Sequence, residues 1–131
     1  MSQENVEIVR ATVEATQRGD WDGALRHYDP AVELDASRMP GGGIYRGPSG
    51  VRDFFTDWFG AWTRLRVEAE RFIDAGDRVV AMLRIAGRGR GTGADVSMRS
   101  ADVIMVRNRK IVRHVAYPIR AEALKAVGLE E

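Results

Sequence analysis

The chain has 131 residues, of which 44% are hydrophobic and 30% charged, proportions that are ordinary for one globular domain. Its 20 basic and 19 acidic residues give a net charge of +1, which excludes a surface charged for nucleic acid or an anionic membrane. It has no cysteine, which excludes disulfides, thiolate catalysis and zinc–cysteine sites, and no apolar run approaches the ~20 residues of a membrane span.

The N-terminal region is predicted to form two helices. Apolar residues recur at helical spacing from Val6 onward, and Gly19 ends this first helix. Asp20 is placed to cap a short second helix that extends through Tyr28 and ends at Asp29-Pro30. The residues before the first helix are polar and acidic, unlike a signal peptide, so we expect a cytoplasmic protein with a single domain over residues 1–131.

The next segment is predicted to form a strand, a loop and a third helix. Ala31 to Ala36 has the length of a short strand, and it contains Asp35. Ser37 to Gly47 is rich in glycine and is therefore predicted to be a loop. Pro48 suits the first turn of a helix. The apolar stripe of that helix consists of Val51, Phe54, Phe55, Trp58 and Trp62.

The C-terminal half is predicted to consist mainly of strands. From Leu65 apolar residues alternate with charged ones, and Arg78 to Ala86 forms a more continuous apolar strand. Residues 95–117 predict an antiparallel hairpin, and Ala121 to Val127 a short last helix. Helices followed by at least four antiparallel strands indicate an α+β fold, with the helices packed on one face of a curved sheet.

Two polar residues interrupt apolar faces within the hairpin. Asp102 shares a strand face with Ile104, and His114 shares one with Ala116, because side chains alternate along a strand. A two-residue loop places Asp102 and His114 on opposite sides of the sheet. A three-residue loop from Arg107 to Arg109, with a bulge, sets them directly opposite each other on one side. The residues of the hairpin leave both registers open.

Several short motifs occur in order along nearly the whole chain. They are Arg18–Gly23, Tyr28–Glu33, Gly43–Gly47, Asp74–Val80, Arg107–Val112, and Tyr117 ahead of Arg120–Leu124. On these motifs the chain resembles the SnoaL-like branch of the nuclear transport factor 2-like superfamily, which also contains ketosteroid isomerases, limonene-epoxide hydrolases and polyketide cyclases. The resemblance implies a cone-shaped barrel, in which a curved antiparallel sheet wraps around three N-terminal helices and encloses a central apolar pocket. It also implies a homodimer.

Comparison with the ketosteroid isomerases identifies two carboxylates and one missing donor. Those enzymes use a carboxylate base on the first strand, and Asp35 falls at that position. Their oxyanion hole combines a protonated aspartic acid with a tyrosine. Asp102 falls close to the aspartic acid, whereas Thr12 occupies the tyrosine position on the first helix. We therefore do not expect steroid isomerisation.

The other two enzyme families match the chain less well. Epoxide hydrolases need an Asp-Arg-Asp set, and its positions are Ile85, Leu83 and Ala116 here, which excludes that chemistry. The pocket aspartate of polyketide cyclases also falls at Ala116, and their neighbouring histidine falls at Asp102. Because both families direct these two strand positions into the pocket, the resemblance favours the register that sets Asp102 across from His114.

Asp102, His114 and Asp35 are the candidate catalytic residues. A carboxylic acid on an apolar face is costly to ionise unless it is paired, and an imidazole such as that of His114 is a suitable proton-transfer partner. Asp35 is expected as a second carboxylate near the mouth of the pocket. The substrate-binding candidates are Thr12, Tyr28, Tyr45, Trp58 and Trp62. Each also has a structural interpretation, as a buried ion pair, a solvated loop carboxylate or an aromatic core.

Three functions are compatible with these observations. The first is an isomerase or cyclase that needs neither cofactor nor metal and moves a proton between Asp102, His114 and a small carbonyl compound. The second is a non-catalytic binding module for a small apolar metabolite. The third is a dimeric scaffold whose sheet binds another protein. In each case we expect no nucleic acid or membrane partner, and the sequence does not name a substrate.

Overall fold

The structure is a computed structural model that describes residues 2–129. Its helices are α1 (Ser2–Gln17), α2 (Trp21–Leu25), α3 (Gly47–Gly60) and α4 (Arg120–Ala126). Its strands are β1 (Tyr28–Asp35), β2 (Ile44–Arg46), β3 (Trp62–Ala75), β4 (Arg78–Gly89), β5 (Asp95–Arg107) and β6 (Lys110–Tyr117). Within residues 2–129 no helix is long and apolar enough to cross a membrane.

All the strands belong to one curved, unclosed six-stranded sheet in the order β2-β1-β6-β5-β4-β3. Neighbouring strands are antiparallel except for β1 and β6, which are parallel. The expected α+β, cone-shaped architecture is confirmed, but the sheet is mixed at this one pair. A parallel pair is possible here because a long stretch of chain separates the two strands, as a parallel connection requires.

The two faces of the sheet have different coverings. The larger core lies on the concave face, where side chains from the three N-terminal helices pack against alternate residues of the strands. A smaller cluster on the other face is formed by Val80, Met82, Ala101 and Val103 together with Ala123 of α4. The alternation of side chains along β4 and β5 explains how both faces bury apolar groups.

Several element boundaries differ from the sequence predictions, and three of the differences concern predicted site residues. Helix α2 ends at Leu25, and Tyr28 begins β1 because it pairs with Ile111 of β6. Trp62 begins β3, since α3 ends at Gly60. The predicted glycine-rich loop contains the short strand β2, which pairs with the end of β1. In each case backbone pairing with another strand overrides the local pattern.

The β5–β6 hairpin turns through two residues. Asn108 and Arg109 have φ angles of 50° and 65°, and Arg107 pairs with Lys110 on either side of them. Positive φ at both central residues is the geometry of a type I′ turn, whose twist matches that of the flanking strands. The predicted three-residue loop is therefore wrong.

A bulge in β6 places Asp102 and His114 on one face of the sheet, as the longer loop was expected to do. Met105 pairs with Arg113 and Val106 pairs with Ile111, so Val112 has no partner in the ladder. One extra residue on a strand moves every later side chain to the other face. His114 consequently lies on the same face of the sheet as Asp102.

Candidate functional site

A cavity of about 80 Å3 lies between α1, α3 and the concave face of the sheet. Its aromatic wall consists of Tyr28, Phe54, Phe55, Trp58 and Phe59. The remaining lining residues are Thr12, Val13, Thr16, Met39, Val67, Leu83, Ile85, Ser100, Asp102, Ile104, His114 and Ala116. This volume is well below the roughly 300 Å3 at which pockets for drug-sized ligands begin. A large ligand would therefore have to displace the half-buried aromatic side chains of α3.

A chain of hydrogen bonds crosses this apolar cavity. His114 Nε2 lies 2.7 Å from Asp102 Oδ2, and His114 Nδ1 lies 2.9 Å from the Tyr28 hydroxyl. A carboxylate only accepts hydrogen bonds, so Nε2 carries a proton and donates it to Asp102. In the neutral ring Nδ1 then accepts from Tyr28. The three side chains thus form one connected polar unit.

Tyr28 is held in its neutral form. Its side chain is only 3% exposed, and its ring lies nearly parallel to that of His114, at an interplanar angle of 8°. Burial raises the pKa of Tyr28 far above its ordinary value of 10.0, and the negative charge of Asp102 adds to this effect. The phenol is therefore a hydrogen-bond donor throughout the physiological pH range.

Asp102 lines the cavity and has one oxygen that is not engaged by another side chain. Oδ2 is engaged by His114, whereas Oδ1 makes no hydrogen bond to any residue between 2 and 129. The Asp102 side chain is 17% exposed, and it stands among apolar neighbours. A carboxylate with one fixed and one unoccupied oxygen in such surroundings is able to accept a proton or a ligand hydrogen bond.

The amino-acid sequence matches the family model of the SnoaL-like domain over residues 9–114. This chain belongs to the SnoaL-like family. A search of curated proteins found no significant match.

Solved structures of similar fold support the assignment of this SnoaL-like domain. An NTF2-like protein from Burkholderia thailandensis is 28% identical, with a TM-score of 0.81 over 92% of this chain and 95% of that chain. A protein from Xanthomonas campestris that is proposed to be a polyketide cyclase is 23% identical, with a TM-score of 0.74 over 97% and 98% of the chains. A protein from Catenulispora acidiphila with a ketosteroid isomerase-like fold, in complex with trimethylamine, is 17% identical, with a TM-score of 0.76 over 94% of this chain and 93% of that chain.

The cavity brings together most of the residues singled out from the sequence. Thr12, Tyr28, Trp58, Asp102 and His114 all line it. The prediction that Asp102 and His114 lie directly opposite each other is wrong. Asp102 pairs with Ala116, and His114 pairs with Ile104. They are diagonal neighbours, and both side chains are long enough to meet.

Asp35 lies outside the cavity, on the other face of the sheet. It is in register with Val115, the neighbour of His114, so its side chain points away from the pocket. Its Oδ1 accepts hydrogen bonds from the Ser37 backbone at 3.0 Å and the Ser37 hydroxyl at 2.5 Å. These bonds lower the pKa of Asp35, and Arg38 and Arg113 add to the effect. The expected position near the pocket mouth is wrong.

Tyr45 and Trp62 also lie outside the cavity lining. Tyr45 packs edge-on against Phe54 with ring centroids 5.3 Å apart, and Trp62 packs against Trp58 at 5.8 Å. Each therefore supports an aromatic side chain that does line the cavity. Trp62 is displaced from the predicted helical stripe because α3 ends before it.

Twelve of the 17 lining residues are not among the site residues predicted from the sequence, and Ser100, Phe59 and Met39 are examples. Ser100 precedes Asp102 by two positions, and strand alternation alone would have placed both on one face. Phe59 is adjacent to Trp58 on α3, and Met39 enters from the loop after β1, for which no periodic signal exists. Within residues 2–129 no three His, Asp or Glu side chains converge as metal ligands.

Proposed function

We propose that this protein is a cofactor-independent isomerase or cyclase that moves a proton on a small hydrophobic carbonyl compound bound in the cavity. The observation that carries the proposal is the Tyr28–His114–Asp102 chain of hydrogen bonds in a cavity lined mainly by apolar side chains. Buried titratable groups with specific partners are concentrated at functional sites.

Each member of the chain has a distinct role in this chemistry. Asp102 is the base, and its Oδ1 takes a proton from the carbon next to the carbonyl group. His114 donates to Oδ2, which fixes the orientation of the carboxylate and disperses its charge. Tyr28 in turn fixes the tautomer of His114 by donating to Nδ1. A positioned base of this kind typically contributes 10²–10⁴-fold to a rate.

The size and lining of the cavity support a small or cyclic substrate. The aromatic wall favours a flat, apolar body, and the polar unit at one side favours a single carbonyl group. The similar Xanthomonas campestris protein is proposed to be a polyketide cyclase, which agrees with carbonyl chemistry. Fold alone does not decide the reaction, so the proposal depends on the polar unit.

Deuterium exchange tests the proposal without a known substrate. Cyclohexanone and γ-butyrolactone are incubated with the protein in D2O, and loss of the hydrogen signals next to the carbonyl is followed by NMR. We expect exchange above the buffer rate for at least one compound, and a decrease of roughly a hundredfold in Asp102→Asn. Asp53→Asn, an exposed change on α3, is the control. Equal exchange in wild type and Asp102→Asn would contradict the proposal.

A second candidate function is the non-catalytic binding of a small alkylammonium ion. The aromatic wall next to the Asp102 carboxylate favours it, since ring faces and a negative charge together attract such cations. The trimethylamine complex of the Catenulispora acidiphila protein agrees with this chemistry. This function predicts that trimethylamine binds to wild type and that Asp102→Asn abolishes this binding. It also predicts that the protein exchanges deuterium into no carbonyl compound.

The expected homodimer is part of the proposal and is tested separately. Sedimentation velocity over a range of protein concentrations is expected to give the mass of two chains. The dimeric scaffold hypothesis additionally requires a filled cavity, and the cavity described above favours a ligand-binding function instead.

A further inference from the structure

The hydroxyl groups that line the cavity differ in whether their protons are engaged. Thr12 and Thr16 each donate to a backbone carbonyl of α1, at 2.8 and 2.7 Å. The Tyr28 hydroxyl is engaged with His114 Nδ1 at 2.9 Å. Ser100 is different, because its hydroxyl makes no hydrogen bond to any residue between 2 and 129.

Ser100 is buried and its position is fixed. Only 2% of the residue is exposed, and it lines the cavity from β5. From the other side of the strand, Arg120 Nε donates to the Ser100 carbonyl at 3.1 Å, and Arg120 Nη2 donates to the Leu83 carbonyl at 2.8 Å. Arg120 is itself paired with Glu70 at 2.6 Å. No fully buried side-chain oxygen or nitrogen atom among residues 2–129 lacks a partner, so the Ser100 hydroxyl is open to the cavity that the residue lines. A hydroxyl without a protein partner at such a position is free to donate a hydrogen bond to a ligand.

We infer that Ser100 donates a hydrogen bond to the carbonyl oxygen of the ligand while Asp102 Oδ1 faces the adjacent carbon. The ligand class is therefore an enolisable ketone or lactone, with the carbonyl group directed towards β5. This inference rests on the proposed function and adds the group that holds the carbonyl oxygen.

The spacing of the two residues fits this arrangement. Ser100 and Asp102 are two positions apart on one strand, so they share a face and their backbones are about 6.6 Å apart. A carbonyl oxygen and its neighbouring carbon fit between two such side chains. Thr12 cannot replace the missing helix tyrosine as a donor, because its proton is used within α1. The donor thus comes from the sheet instead of the helix.

The proton transfer is balanced without any further reactant. The C–H bond next to the carbonyl group breaks, and its proton moves to Asp102 Oδ1. The electron pair of that bond forms the carbon–carbon double bond of an enolate, and the carbonyl oxygen takes the negative charge. The hydrogen bond from Ser100 stabilises this charge as it develops. Return of the proton to the same carbon gives exchange, and return to a more distant carbon gives isomerisation.

The test compares Ser100→Ala with Asp102→Asn and wild type. Ser97→Ala, an exposed serine on the same strand, is the matched control. Deuterium exchange of cyclohexanone is measured in D2O, and the binding of cyclohexanone and of trimethylamine is measured by NMR titration. Protonated trimethylamine has no hydrogen-bond acceptor, so its binding is not expected to depend on the Ser100 hydroxyl. Unfolding midpoints establish that each variant is folded, and Ser100→Cys, whose thiol is a weak donor, replaces Ser100→Ala if that variant does not fold.

We expect Ser100→Ala to slow exchange roughly a hundredfold and to weaken cyclohexanone binding about tenfold, with no effect on trimethylamine. Exchange that is lost in Asp102→Asn but unchanged in Ser100→Ala would overturn this inference and leave the proposed function standing. Absence of exchange in wild type would overturn the proposed function. In that case weaker cyclohexanone binding by Ser100→Ala supports the donor role, and unchanged or absent binding refutes it.

Discussion

His114 Nε2 lies 2.7 Å from Asp102 Oδ2, although the two residues are not cross-strand partners. Asp102 is opposite Ala116, and His114 is opposite Ile104. The short side chain of Ala116 leaves the space through which His114 reaches Asp102 along the diagonal. The pair therefore depends on the bulge at Val112, which sets the face, and on a small residue opposite Asp102.

Tyr28→Phe tests the hydrogen bond at the other end of the chain. The change keeps the ring but removes the hydroxyl that donates to His114 Nδ1. We expect the free energy of unfolding at pH 7 to fall by about 1 kcal/mol, because a buried acceptor loses its donor. Urea unfolding measures this difference. Tyr45→Phe, outside the cavity, is the control and is expected to have little effect.

The effect of Tyr28→Phe is expected to depend on pH in the alkaline range. Burial raises the pKa of Tyr28 in the folded protein above the ordinary value of 10.0 that applies to the unfolded chain. Above that pH the unfolded state alone loses the proton, so wild type loses about 1.4 kcal/mol of stability per pH unit from this group. The advantage of wild type over Tyr28→Phe is therefore complete below pH 10 and shrinks above it. A constant difference between pH 8 and 11 would contradict this prediction.

Trp58→Phe tests whether ligands enter the cavity described here. Trp58 lines the cavity, whereas Trp21 and Trp62 do not. Binding of cyclohexanone is therefore expected to change the intrinsic fluorescence of wild type and of Trp62→Phe. The change should be absent in Trp58→Phe. A response that survives in Trp58→Phe but disappears in Trp62→Phe would place the ligand elsewhere.

Arg109→Gly is predicted to stabilise the protein. Arg109 has a φ angle of 65°, which costs an L-residue about 1 kcal/mol relative to glycine. The exposed Arg109–Glu4 ion pair, at 3.0 Å, contributes little in return. Arg109→Ala removes the same ion pair but keeps the strained conformation. Thermal unfolding should therefore rank Arg109→Gly above wild type and Arg109→Ala at or below it, and an equal shift in both variants would exclude backbone strain as the cause.

Asp35→Asn is expected to lower the stability of the protein without changing its activity. Hydrogen bonds from Ser37 lower the pKa of Asp35 below its ordinary value of 3.8, so the ionised group stabilises the folded state. We expect a loss of about 1 kcal/mol at pH 7. The contribution is present above pH 3.8 and is lost as the pH falls through the folded-state pKa, so the two proteins converge in acid. Because Asp35 faces away from the cavity, deuterium exchange should not change.

Much of the fold, but only part of the candidate site, could be predicted from the amino-acid sequence. The helical spacing, the strand-rich second half and the existence of the β5–β6 hairpin follow from local patterns. The face shared by Asp102 and His114 was also predicted, although for the wrong reason. A bulge at Val112 depends on how two whole strands pack, and no local residue preference marks it.

Asp35 and Tyr28 show two further limits of sequence-based reasoning. Val32, Leu34 and Ala36 are buried on the concave side of β1, and this alternation already places Asp35 on the opposite face. The resemblance to the ketosteroid isomerases, whose base lies at this strand position, predicts the opposite face and is wrong for Asp35. Tyr28 was assigned to a helix because its strand partner, Ile111, is far away in the sequence. A local hydrophobic pattern does not contain information about a strand partner so far away in the sequence.

The site is tested most directly by a long-range ¹H–¹⁵N NMR spectrum of the His114 ring, recorded with and without cyclohexanone. We expect the neutral ring to carry its proton on Nε2 and to accept at Nδ1, and the ligand to shift both nitrogen resonances in a saturable way. His27, which lies outside the cavity, serves as the internal control. A proton on Nδ1, or His114 resonances that no ligand moves, would contradict the assignment of this cavity as the functional site.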